Sequence, residues 1–173
     1  MKEKVCMVLD LEGFFVKKKF QIRELGYYAW TGDHGRYAFY AKTPWYDLSV
    51  DDKRVVSYQK YNINGLTYEP MKEERGYESD EHEEVMKELY DKFKQGERMV
   101  VAYKGGHVER DLLNKLNIPN MNLELYACPK YEHLQSSIVE PLPSCGFHFN
   151  HKNAHCSMVE CHAFWLWMIT YVE

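Results

Sequence analysis

Three strand-like segments in series, followed by two more that alternate with helices, leave this chain few architectures to choose from. Val5 to Leu9 is a short apolar run ending at Asp10, and Phe20 to Trp30 and Arg36 to Lys42 are aromatic-rich strand candidates separated by Gly-containing turns. Beyond a polar stretch containing Asn62-Ile63-Asn64-Gly65, the segment Ser79 to Gln95 predicts a helix. Ser79 or Asp80 caps it, Val85, Met86, Leu89 and Phe93 recur at helical spacing, and Gly96 stops it. Met99 to Tyr103 reads as a buried strand, Lys104-Gly105-Gly106 as a tight turn, and His107 to Leu116 as a helix with Val108, Leu112, Leu113 and Leu116 facing inward. Met121 to Leu125 follows as a fifth strand, Lys130 to Ser136 as a short helix and Ser157 to Val172 as an apolar-faced helix. The order β-β-β-α-β-α-β-α predicts an α/β fold, a mixed sheet with helices packed on it, in place of a bundle or a sandwich.

A length of 173 residues suits a single domain spanning 1–173. Apolar residues at 45% and aromatics at 15% exclude a disordered chain. The formal charge of −4 means that no basic composition advertises a polynucleotide partner, although Lys17-Lys18-Lys19 lies close to the first acidic pair. The N-terminal stretch carries acidic residues within its apolar run, which does not suit a signal peptide, and no segment reaches membrane-spanning length. With Cys6 isolated and Cys128, Cys145, Cys156 and Cys161 gathered near histidines, the cysteines suit metal ligation in a reducing, intracellular compartment, cytoplasm or nucleus.

Two groups of residues carry chemistry. The first is acidic. Asp10 and Glu12 stand two apart at the expected end of the first strand, so alternation puts both on one face, a divalent-metal arrangement. Glu109 falls in the first turn of the helix after the fourth strand, where it also suits the helix dipole. Glu160 follows Ser157 by three, the spacing of a capping box, and follows His155 by five.

These residues resemble the motifs of DEDD-type 3′→5′ exonucleases of the histidine branch. Asp10-x-Glu12 looks like the first motif, Ile63-Asn64-Gly65-Leu66-Thr67 like the loop before the first helix, Lys104-Gly105-Gly106-His107-Val108-Glu109 like the second acidic motif, and His155-x4-Glu160 like the final one. The resemblance implies an RNase H-like sheet. It also implies that Asp10, Glu12, Glu109 and Glu160 hold two Mg²⁺ or Mn²⁺ ions, with His155 as general base. The family usually has Asp where this chain has Glu109 and Glu160.

The second group is Cys145-x2-His148, His155-Cys156 and, on the loop leaving the fifth strand, Cys128. Cys128, Cys145, His148 and Cys156 would make a closed tetrahedral set, suited to a structural zinc. His151, His162 and Glu124 stand in reserve, and Cys6 and Cys161 read as buried apolar residues. Cys145-x2-His148 and His155-Cys156, followed by a helix bearing Phe164, Trp165 and Trp167, resemble the Maelstrom domain, an RNase H-like, zinc-binding relative of the exonucleases. Two functional expectations follow. One is a metal-dependent 3′→5′ exonuclease acting on single-stranded RNA or DNA and stabilised by zinc. The other is a catalytically weak or inactive Maelstrom-like module that binds RNA or protein.

Overall fold

The computed structural model describes residues 1–135, 142, 144–149 and 156–173. Five strands form one mixed sheet in the order β3-β2-β1-β4-β5: β1 (Val5–Val16), β2 (Lys19–Ala29), β3 (His34–Ala38), β4 (Val100–Tyr103) and β5 (Asn120–Asn122). β2 runs antiparallel to β1 and to β3, while β4 is parallel to β1 and to β5. The helices are α1 (Val50–Gln59), α2 (His82–Phe93), α3 (His107–Lys115), α4 (Tyr131–Gln135) and α5 (Ser157–Tyr171). The expected α/β class, with helices packed on a mixed sheet, is what the structure shows. Among the described residues no helix is long and apolar enough to cross a membrane.

Alternation along the strands sorts two cores. Met7, Leu9 and Leu11 of β1 with Leu25 and Tyr27 of β2 face α2 and α3, burying Met86, Leu89, Phe93 and Leu113. On the other face Val8 and Ala102 pack against Cys161, Phe164, Trp165 and Met168 of α5. At Gly26 that helix lies so close to β2 that an added Cβ would meet Ser157 Oγ at 2.4 Å and Met158 N at 2.7 Å. Only glycine permits this contact.

Several boundaries differ from the expectations. β1 runs seven residues beyond Leu9, to Val16, because its far half pairs with β2 in a long hairpin. Asp10 and Glu12 therefore lie in mid-strand, just before a register shift between Glu12 and Gly13. β5 is only Asn120–Asn122, since the Asn122 side chain accepts the Glu124 N–H at 3.0 Å and turns the chain into a 3₁₀ helix.

The polar stretch contains an unexpected helix, α1. Ser49 caps it by accepting the Asp52 N–H at 3.1 Å. Its end is tied to β1 by Gln59, which accepts the Phe15 N–H at 2.8 Å and donates to the Phe15 carbonyl at 3.1 Å. Only Val56 and Gln59 of α1 are buried, so apolar periodicity is weak there.

Candidate functional site

Asp10, Glu12 and Glu160 of the first group and Cys145, His148 and Cys156 of the second gather on the sheet face covered by α5. Asp10 and Glu12 project from β1, and Glu160 comes from the first turn of α5. One carboxylate oxygen from each lies within 4.8 Å of the others. Asp10 and Glu160 are buried, and Glu12 is partly so. Asp10 Oδ2 is shielded from solvent without a hydrogen-bond partner. A cavity of about 350 Å³ opens beside the cluster, with Lys104, Lys130 and Tyr131 in its wall.

Glu109 approaches from the opposite side of β1. It is buried in the first turn of α3, and its Oε1 accepts the Leu11 N–H at 3.2 Å. It thus hydrogen-bonds the residue between the other two strand acids. The alternative capping role for Glu160 is not what the structure has. Ser157 is the first helical residue, and its N–H and Oγ–H are donated to Glu24 Oε1 at 3.0 and 2.6 Å.

Burial raises the carboxyls of Asp10 and Glu12 well above the ordinary range, and the neighbouring Glu160 adds to the rise in both. Burial pushes Glu109 up to about 7. Without cations, burial and mutual repulsion favour the protonated forms of these acids.

Directly across the β1–β2 pair from Glu12 stands Glu24, the centre of the second group. His148 Nε2 lies 3.1 Å from both Glu24 carboxylate oxygens, Cys145 Sγ lies 3.6 Å from Glu24 Oε2, and Cys145 Sγ lies 3.5 Å from Cys156 Sγ. Donors around a tetrahedral zinc, bound at about 2.0 to 2.3 Å, are separated by about 3.3 to 3.8 Å. Two thiols and an imidazole with ligand atoms all within 4.8 Å of one another suit such an ion, and the Glu24 carboxylate lies against two of them, Cys145 and His148. His148 Nδ1 meets the Asn64 carbonyl, which fixes the ring with Nε2 toward the cluster.

Charge balance in the second group has identifiable sources. A hydrogen bond from Cys145 holds the Cys156 thiol well below its ordinary pKa, against the effect of burial, and His148 assists. Burial disfavours the charged form of His148, yet Cys156 and Glu24 outweigh it and raise the ring to about 10. Burial likewise works against the Glu24 carboxylate, but His148, Arg36 and Ser157 together hold it far below the usual range. Arg36 also pairs with Glu74 at 2.9 Å, and Glu74 takes Arg23 at 2.7 Å, so a buried ionic chain runs from this group to the 67–75 loop.

Cys145, His148 and Cys156 are thus brought together, whereas Cys128 is not. Its sulfur sits in the apolar core with Met121, Leu123, Leu134 and Phe164, where burial pushes the thiol up to about 12. The acidic side chain beside Cys145 and His148 is that of Glu24. His155, the expected general base, and His151 lie outside the described residues. His162 stacks on Tyr28 with ring centroids 4.3 Å apart, and Glu124 pairs with Lys104 at 3.4 Å.

Protein-family models, curated proteins and solved structures all fail to match this chain.

Proposed function

We propose that the chain is an RNase H-like, metal-dependent 3′→5′ exonuclease acting on single-stranded RNA or DNA, with a separate structural zinc held by Glu24, Cys145, His148 and Cys156. The observation that carries the reading is the convergence of Asp10, Glu12 and Glu160 around a buried, unpartnered Asp10 oxygen, with Glu109 behind them. Like charges packed so closely hold protons or cations, and a cluster open to a cavity is suited to cations. Three N-terminal strands followed by strands alternating with helices support the RNase H-like assignment.

Asp10, Glu12 and Glu160 would hold Mg²⁺ or Mn²⁺ from the cleft side, and Glu109 would complete the negative field from beneath Leu11. The bound ions supply Lewis-acid stabilisation of the oxygens that attack and leave phosphorus in an in-line displacement. Lys104 and Lys130, in the cleft wall, present positive charge to the incoming phosphodiester. Zinc fits the second group as a closed structural site: all four donors come from the protein, and His148 is braced by Asn64. Because Cys156 immediately precedes α5, zinc there holds the helix that carries Glu160.

The test is digestion of 5′-labelled single strands with Mn²⁺ or Mg²⁺. Wild type should give a ladder shortened from the 3′ end, and Asp10→Ala should give none while remaining folded. Equal digestion by both proteins would assign the activity to a contaminant. No digestion by wild type with any divalent ion would favour the Maelstrom-like binding module.

A further inference from the structure

A cavity of about 740 Å³ lies on the sheet face opposite the acidic cleft, and the proposed reaction does not use it. Its floor is apolar, with Leu11, Phe20, Ile22 and Val108. Gln21, Thr43 and Ser79 add hydrogen-bonding groups to its walls. Its volume is within the range of small-ligand sites.

The rim is basic. Lys17, Lys19 and Lys42 are exposed there, and none has an acidic partner among the described residues. The two acids of the lining are already paired, Glu83 with Lys115 and Asp111 with Arg110 at 3.3 Å. Three uncompensated ammonium groups on a chain of net charge −4 are a local reversal of field.

The hairpin that carries Lys17 and Lys19 pays a conformational cost. Val16 pairs with Lys19, so the β1–β2 loop is Lys17-Lys18, and both have positive φ, 53° and 63°. This is the turn that favours Asn-Gly, whereas lysine is unfavourable at both positions. Of the two, Lys17 lies on the cavity rim, and strain of this kind tends to cluster at ligand sites.

We infer that this groove binds a nucleoside phosphate unit, with its base on the apolar floor beside Phe20 and its phosphate against Lys17, Lys19 and Lys42. A purely aliphatic anion would leave Gln21, Thr43 and Ser79 unanswered, whereas a heteroaromatic base has edges for them. The unit can come from a free nucleotide or from one residue of a single strand. The inference goes beyond the nuclease reading and survives an inert acidic cleft, because binding is measured without hydrolysis.

The experiment titrates the 173-residue chain, free of Mg²⁺ and Mn²⁺, with adenosine monophosphate, an eight-nucleotide adenosine strand and decanoate, following backbone amides by NMR. Nucleotide or strand should shift Leu11, Phe20 and Val108. Lys17→Asn/Lys18→Gly should bind at least threefold more weakly while melting higher than wild type, since its turn is relaxed. Lys42→Gln should weaken binding independently. Hydrolysis of a small phosphodiester in the acidic cleft should be unchanged in both. Binding by the mononucleotide identifies a free-nucleotide site, and binding by the strand alone identifies a strand subsite; either supports the inference. Shifts confined to Lys104, Lys130 and Tyr131, unaltered affinity in both lysine variants, or preference for decanoate would each overturn it.

Discussion

Glu109→Gln should make the protein more stable and its cleft less able to hold metal. Glu109 is 6% exposed, and its carboxylate accepts the Leu11 N–H. Glutamine keeps an oxygen for that N–H and removes the charge. Burial raises the carboxyl from 4.5 to about 7, and at about 1.4 kcal/mol per unit the ionised form costs the fold about 3 kcal/mol. The sign follows from the raised value. The native state holds this proton more tightly than the unfolded chain, so the contribution is full below pH 4.5 and is lost as pH rises through about 7. Wild type and variant should therefore have similar stability at pH 5, while at pH 8 without Mg²⁺ or Mn²⁺ the variant should gain up to about 3 kcal/mol. For a chain of this size that is roughly 6 to 12 °C in Tm. Urea unfolding at both pH values reads it as a shift in midpoint at constant slope. Adding Mn²⁺ should stabilise wild type at pH 8 and the variant less, because binding to the native state adds to its stability. A variant no more stable than wild type at pH 8 would refute the account of Glu109 as a buried, cation-seeking acid.

Protein purified without added metal should carry about one zinc per chain, and strong chelation should lower its melting temperature; near-zero zinc by elemental analysis with unchanged melting would remove the site. Glu24→Gln and Cys145→Ala should each lose zinc, whereas Cys128→Ala should keep it and lose only packing, about 1 to 2 kcal/mol. Gly26→Ala touches no proposed ligand, yet it should lower both zinc content and nuclease rate by pushing the start of α5 away from β2; retention of both would show that the helix can shift without disturbing its ligands. Cys156→Ser should reduce turnover even where the fold survives, measured as rate and zinc content on the same preparation.

The core was legible because its periodicities are strong. Val85, Met86, Leu89 and Phe93 face the sheet from α2 as their spacing requires, and Leu112 and Leu113 do so from α3. The missed helix, α1, is stabilised by the Ser49 cap and by hydrogen bonds from Gln59 to a strand, and neither leaves an apolar stripe. In the site, Asp10-x-Glu12 was legible because alternation alone puts both on one face. Glu24 was not, since pairing with a cluster more than a hundred residues later is a property of the folded sheet. Its one local signal was an Arg-Glu pair inside an otherwise apolar strand, Ile22-Arg23-Glu24-Leu25. Cys128 misled because ligand type and nearness in sequence cannot separate a thiol in a core from one at a metal.

The position of α5 also sets an order of assembly. Ser157 finds Glu24 across 133 positions of chain, and the same helix delivers Glu160 to Asp10. Contacts of such separation close a long loop, and the closure entropy is lost before the contacts reward it. A folding chain can complete its β1–β2 hairpin, with Glu12 facing Glu24, while that face of the sheet is still bare and wet. Until α5 lands, the acids on β1 are solvated carboxylates with no cavity beside them. The cleft is thus absent from every intermediate that lacks α5, and it appears in the same step that closes the second core.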